Sequence, residues 1–233
     1  MKKNNFLFVL SGLFLASLCV PVSQAYTKQE QAFLFTQVNN NLLSIIYSLQ
    51  TSSEETYSDV SSEDWYYQGV NYVTEEKIMA GTSDNTFSPD NTITRGLLST
   101  VIAGAEKADL GSQENIFLDC SEKWYSDSVN WCVENVIMQG YSPKIFGGED
   151  IVDREQLSVV LYGYASYLGL DVSYRTSFLN SYQDRSKVST YAIEELSWCF
   201  ANGIMVDTNN NLRSREYASR GEVAYAIWKL LQL

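Results

Sequence analysis

Apolar residues in this chain recur at helical spacing in short blocks, and loops rich in turn formers separate the blocks. Trp65, Val70 and Val73 share one helical face, with Ser62 or a neighbour placed to cap it. Gly81 is positioned to end that stretch in a left-handed conformation. "TSDNTFSPDNTI" (82–93) reads as a loop whose Phe87 plugs into a core. Thr94 then caps a second helix carrying Leu97, Leu98, Val101 and Ile102. Upstream, "AFLFTQVNNNLLSIIYSLQ" (32–50) has the pattern of an amphipathic helix and "TSSEET" that of a polar linker. The apolar run at 6–20 is short for a membrane-spanning helix, which needs about 20 residues. Lys2 and Lys3 precede it and "SQA" ends at Ala25, so residues 1–25 read as a secretory signal.

The helix–loop–helix pattern occurs three times. Each unit opens on an aromatic-x-Asp step: "YSDV" at 57–60, "FLDC" at 117–120 and "YQDR" at 182–185. An Ile-Met pair follows in "NYVTEEKIMAG", "NWCVENVIMQG" and "SWCFANGIMVD". Each unit closes on an arginine at a helix start: "ITRGLL", "VDREQL" and "ASRGEV". The separations Asp59 to Arg95, Asp119 to Arg154 and Asp184 to Arg220 are almost equal. Two short helices cannot bury an apolar face alone, so three units must pack together. The boundaries are 26–56 for the N-terminal helix and linker, then 57–116, 117–181 and 182–233 for the units.

Composition narrows the function. Sixteen Tyr, 10 Phe and 5 Trp suit a globular chain. A formal net charge of −12, more negative once Lys2 and Lys3 leave, disfavours nucleic acid and anionic membrane surfaces as partners. Cys120, Cys132 and Cys199 are an odd number for an exported chain, so at least one is unpaired within it. Cys132 and Cys199 read as small buried hydrophobes; Cys120 could reach Cys132, but a free thiol is expected. With no His and no CxxC, neither a metal site nor a cofactor is expected. The same gap removes the usual general base, and no carboxylate pair stands out, so the chain reads as non-enzymatic.

The repeated arginine is the candidate chemistry. Ser219 with Glu222 fits a capping box, Asp153 with Gln156 is a variant, and Thr94 opposite Leu97 is half of one. Capping explains the flanking positions and leaves Arg95, Arg154 and Arg220 unexplained, each at the unfavourable positive end of a helix dipole. Trp65 and Trp124 have two readings, as sugar-stacking platforms or as packing of a first helical turn. Trp131 and Trp198 read as core. Asp59, Asp119 and Asp184 read first as Asx turns or caps, and second as ligand contacts.

The aromatic-x-Asp opening, Trp65, Trp124 and "GTSDNTFSPDNTITR" (81–95) together resemble the S-layer homology repeat, over about 57–233. The resemblance implies an all-α fold of three helix-loop-helix repeats, in a pseudo-threefold arrangement around a central three-helix bundle. It also implies binding of a secondary cell-wall polymer attached to peptidoglycan, typically pyruvylated, in grooves between repeats. Arg95, Arg154 and Arg220 would meet the ketal carboxylate, helped by backbone N–H donors at the helix start. Trp65, Trp124, Asp59, Asp119, Gly81 and Gly140 would join the lining.

Unit 1 lacks the acidic fourth residue of the Thr-Arg-Ala-Glu motif. Unit 2 has Gly147-Gly148 where unit 1 has Ser88-Pro89. Unit 3 has Leu212 for Phe and "VSTY" (188–191) where the others carry Trp. A glycan site is therefore expected first at Arg95 or Arg154 and last at Arg220. The expectation is a secreted wall-binding module at the cell surface, whose N-terminal helix covers an open edge or recruits a protein partner. Its rival is a structural interaction module whose degenerate repeats no longer hold glycan. A wall hydrolase is the third reading.

Overall fold

The computed structural model describes residues 57–111, 115–174, 176–206 and 209–233. The expected leader, N-terminal helix and linker lie outside the described residues. Six α-helices alternate with loops and short 3₁₀ turns, with no strand among the described residues. They are α1 Tyr67–Glu75, α2 Arg95–Ala105, α3 Ser126–Glu134, α4 Arg154–Tyr167, α5 Ile193–Ala201 and α6 Arg220–Leu230.

α1, α3 and α5 end identically. Ile78 donates to the Val73 carbonyl, Ile137 to Cys132 and Ile204 to Cys199, across a left-handed residue. That residue is Lys77, Val136 or Gly203, at φ near 60°. This closure buries the Ile of each Ile-Met pair and satisfies terminal carbonyls. The left-handed position is thus Lys77 and not Gly81, because the helix stops four residues earlier than the glycine suggests. Gly81 serves close packing: a Cβ there would lie 2.6 Å from the Ser83 carbonyl oxygen and from the Tyr57 ring. Gly140 is equally tight against the Phe117 ring and the Ile145 carbonyl oxygen. The opening aromatic of a unit therefore lids its own glycine. At the other end, α1 starts at Tyr67 with no side-chain cap, so Ser62 does not cap it and Trp65 stands in the preceding turn.

The second helices begin as the sequence predicts. Thr94 accepts from Leu97 N–H, and Asp153–Gln156 and Ser219–Glu222 form complete capping boxes. Just before them, three backbone hydrogen bonds close a cycle. Ile93 donates to Ala218 (3.3 Å), Ala218 to Val152 (2.9 Å) and Val152 to Ile93 (2.9 Å), all three residues being buried. One residue from each unit contributes, so the units are mutually dependent and share one core.

The plugs Phe87, Phe146 and Leu212 are fully buried in that core. Each is held by the Asp that opens its unit. Asp59 accepts from the amides of Phe87 (2.8 Å) and Ser88 (2.7 Å), Asp119 from Phe146 (2.9 Å) and Gly147 (2.7 Å), and Asp184 from Leu212 (2.8 Å) and Arg213 (2.9 Å). The expected Asx turn or cap is thus replaced by a long-range clip of two successive amides. Both carboxylate oxygens are used, which is why Asp and not Asn or Ser recurs.

Candidate functional site

The arginines occupy one repeated geometry three times over, each reaching from its own unit into the next. Arg95 Nε donates to the Phe146 carbonyl (3.1 Å) and Nη2 to Gln139 (2.6 Å). Arg154 repeats this with Leu212 (3.0 Å) and Val206 (2.8 Å), and Arg220 with Phe87 (3.0 Å) and Ala80 (2.6 Å). The first contact is always to the plug and the second to the residue before the 81/140/207 position. All three arginines are buried, and burial pulls each guanidinium pKa below its ordinary value.

The helix-start amides are also occupied. Arg95 and Gly96 N–H donate to the Asp150 and Gly148 carbonyls; Arg154 and Glu155 donate to Glu216 and Ser214; Arg220 and Gly221 donate to Asn91 and Pro89. The backbone donors expected to receive an anion are therefore spent on the next unit's loop. What the arginine overcomes at the positive helix end is repaid by carbonyl dipoles that converge on its guanidinium.

The three grooves nevertheless differ in what remains of that guanidinium. Arg95 Nη1 has no hydrogen-bond partner among the described residues, and Arg95 lines an open groove of about 440 Å³. The guanidinium lies between the Tyr141 ring (4.7 Å) and the Phe146 ring (4.6 Å). Gln156, Val159 and Gly163 on α4 form the floor, with Tyr191 and Glu195 of unit 3 opposite. Gln156 and Gly163 are two turns apart, about 10 Å along the axis. Glu195 Oε2 is buried with no partner among the described residues, and burial raises its pKa. A buried acceptor left unpaired costs about 1–3 kcal/mol.

At Arg154 the picture reverses. The side chain is 1% exposed, and Nη1 is held by Glu222 at 2.5 Å. Trp65 and Tyr225 close the corresponding space until no room for a water molecule remains. The structure thus removes Arg154 from the accessible candidates. Arg220 keeps Nη1 without a partner among the described residues, but Leu97 stands where Gln156 stands in the open groove.

The aromatic candidates are exposed: Trp65 at 47% and Trp124 at 69%. Each sits two residues before the first helix of its unit. The same position in unit 3 is Tyr191, 56% exposed, so "VSTY" does supply a platform, as Tyr in place of Trp. The signal is the distance to the helix start, which the 3₁₀ turn Thr190–Ala192 separates from Asp184 by more residues than in the other two units. Trp198 is core, its Nε1 donating to the Asp171 carbonyl, while Trp131 is only half-buried against Tyr167. Cys120, Cys132 and Cys199 are buried free thiols. Burial pushes Cys120 up to about 11 and Cys132 up to about 12.

A model of the S-layer homology domain matches residues 56–96 and 117–158. These two segments, in the first and second units, are S-layer homology repeats. The third unit lies outside the matched segments, although its Asp184 clip and Arg220 reach repeat the geometry of the other two. An endoglucanase of Bacillus sp. (strain KSM-635) is 22% identical over 230 residues, 98% of this chain and 22% of that protein. A cellulosome-anchoring protein of Acetivibrio thermocellus is 26% identical over 135 residues, 56% of this chain and 30% of that protein. A surface-layer 125 kDa protein of Lysinibacillus sphaericus is 23% identical over 144 residues, 62% of this chain and 12% of that protein. The chain spans less than a third of each of these relatives.

Proposed function

We propose that this protein anchors non-covalently to the bacterial cell wall at the cell surface, by binding an anionic, pyruvylated secondary polymer in the Arg95–Tyr191 groove. The observation that carries the reading is Arg95 Nη1, without a hydrogen-bond partner among the described residues, on an open groove faced by an exposed aromatic. A ketal carboxylate takes the guanidinium by a charge-assisted bond, Tyr191 offers a face to a pyranose, and Gln156 and Glu195 bond hydroxyls. Surface-layer and cellulosome-anchoring relatives support this reading. Among the described residues no helix is long and apolar enough to cross a membrane. No step of chemistry is asked of the groove, and the role is binding without catalysis.

Co-sedimentation with cell-wall sacculi, with the secondary polymer retained or stripped, tests this. Because Arg95 also holds unit 2, the informative variant is Tyr191→Ala, which removes an exposed ring and leaves the carbonyl contacts intact. Pelleting that needs the polymer and falls at least tenfold in the variant supports the proposal. A folded wild type that stays in the supernatant with both walls sinks it. The second reading, an interaction module without glycan affinity, then becomes the better account; the sealed Arg154 groove favours it.

A further inference from the structure

Resting on the glycan reading above, we propose that the protein blocks its own Arg154 groove with an internal carboxylate, and that Glu222 and Tyr225 decide this. The open and closed grooves are equivalent position by position. Gln156 and Glu222 each sit two residues after the motif arginine, Val159 and Tyr225 five residues after it. Tyr191 and Trp65 each stand two residues before the facing helix, and Glu195 and Gly69 are each its third residue.

These substitutions all act in one direction. Glu222 Oε1 accepts from Arg154 Nη1 at 2.5 Å and also from Arg213 Nη2 at 2.5 Å. Its Oε2 meanwhile accepts from Ser219 N–H in the capping box. One carboxylate thus caps the helix and fills the anion's seat, with the bond pattern a ligand carboxylate would make. Gln156 caps its helix in the same way through Oε1 but brings no charge, and Arg95 Nη1 stays unpaired among the described residues.

Helix packing completes the closure. Gly69 lets α1 approach α6 so closely that a Cβ there would lie 2.5 Å from Tyr225 Cα. The Tyr225 ring then stacks edge-on against Trp65, with centroids 5.1 Å apart, over the buried ion pair. In the open groove the helix facing α4 carries Glu195 at the Gly69 position, and Val159 offers no ring to fill the gap. The chain therefore presents an exposed Trp65 platform whose cationic partner is already taken. Trp65 there acts as a cover for the ion pair.

The two grooves should be interchangeable by exchanging these residues. Glu222→Gln with Tyr225→Val gives α6 the residues of the open groove and keeps the capping box. Isothermal titration of the purified full chain with a methyl glycoside bearing a pyruvyl ketal counts the sites. One site more than in wild type, lost again on adding Trp65→Ala, is the expected result. The reciprocal pair, Gln156→Glu with Val159→Tyr, leaves Arg154 untouched and serves if the first variant does not fold; it should abolish the Arg95-dependent site. An unchanged site number in either folded double variant overturns the internal block while leaving the glycan reading standing. A wild type whose binding is weakened at least tenfold by Trp65→Ala also overturns it. No binding by folded wild type refutes the glycan reading, and the block as a device for choosing grooves goes with it.

Discussion

Replacing Arg154 by alanine should remove about 4 kcal/mol of stability, a large part of the roughly 5–15 kcal/mol available to a domain. The substitution deletes donors to the Leu212 and Val206 carbonyls and breaks the pair with Glu222, all at a side chain 1% exposed. Breaking a buried pair by removing one partner costs about 3–5 kcal/mol, since the remaining charge is left without compensation. Arg213 still holds Glu222, which limits the loss. Arg95→Ala should cost less, about 2 kcal/mol, because water entering its open groove can replace donors to Phe146 and Gln139. Urea unfolding followed by tryptophan fluorescence, with an unchanged m-value, reads both numbers. Arg154→Met with Glu222→Leu should recover most of the loss, since well-packed apolar residues can replace a buried pair. An Arg154→Ala protein within about 1 kcal/mol of wild type, or one more stable than Arg95→Ala, refutes the assignment of these arginines as clamps between units.

Further predictions follow from the same contacts. Asp119→Asn should cost about 1 kcal/mol at neutral pH, since one of two accepting oxygens becomes a donor facing an amide. Burial pulls the Asp119 pKa up, but the Phe146 and Gly147 amides outweigh it and leave the pKa depressed. Its stabilisation is therefore complete above the ordinary carboxylate range and fades as pH falls through the lower folded value; the variant's acid unfolding curve should lack that component. Glu195 has the opposite sign: burial raises its pKa, so stability rises as pH falls through the folded value and flattens below the unfolded one. Glu195→Gln should remove that dependence in thermal melts between about pH 4 and 7. Val136 is β-branched, 70% exposed and at φ 60°, so Val136→Gly should raise stability by about 0.5–1 kcal/mol, read as a higher melting temperature. The three thiols should resist maleimide in the native state and react together on unfolding, because burial both shields them and raises their pKa values.

The sequence by itself determined the helical class, the capped second helices and the Phe87-type plug. Each follows from local periodicity or from side chains bonding to their near neighbours. It also marked the arginines as needing a partner. Only the tertiary structure decided what that partner is, because the carbonyls of Gln139 and Phe146 lie in a different unit from Arg95, far away along the chain. The same holds for Asp119 and its two amides, and for the cycle of Ile93, Val152 and Ala218.

The departures of unit 2 from its neighbours had a physical reason that no single unit could show. Gly96 and Gly221 lie against Tyr125 and Tyr66, where a Cβ would meet the ring at 2.7 and 3.1 Å. Glu155 takes the equivalent place against unit 3, where Ala192 replaces the tyrosine and the carboxylate bonds Ser189 N–H and Ser214 Oγ instead. Size lost on one unit is restored on the next. The accessible groove was likewise beyond the sequence, since Glu222 reads there as an ordinary capping residue. Its second role arises because α6 brings that carboxylate against Arg154 of another unit, a contact that close packing of α1 on α6 through Gly69 then seals from water.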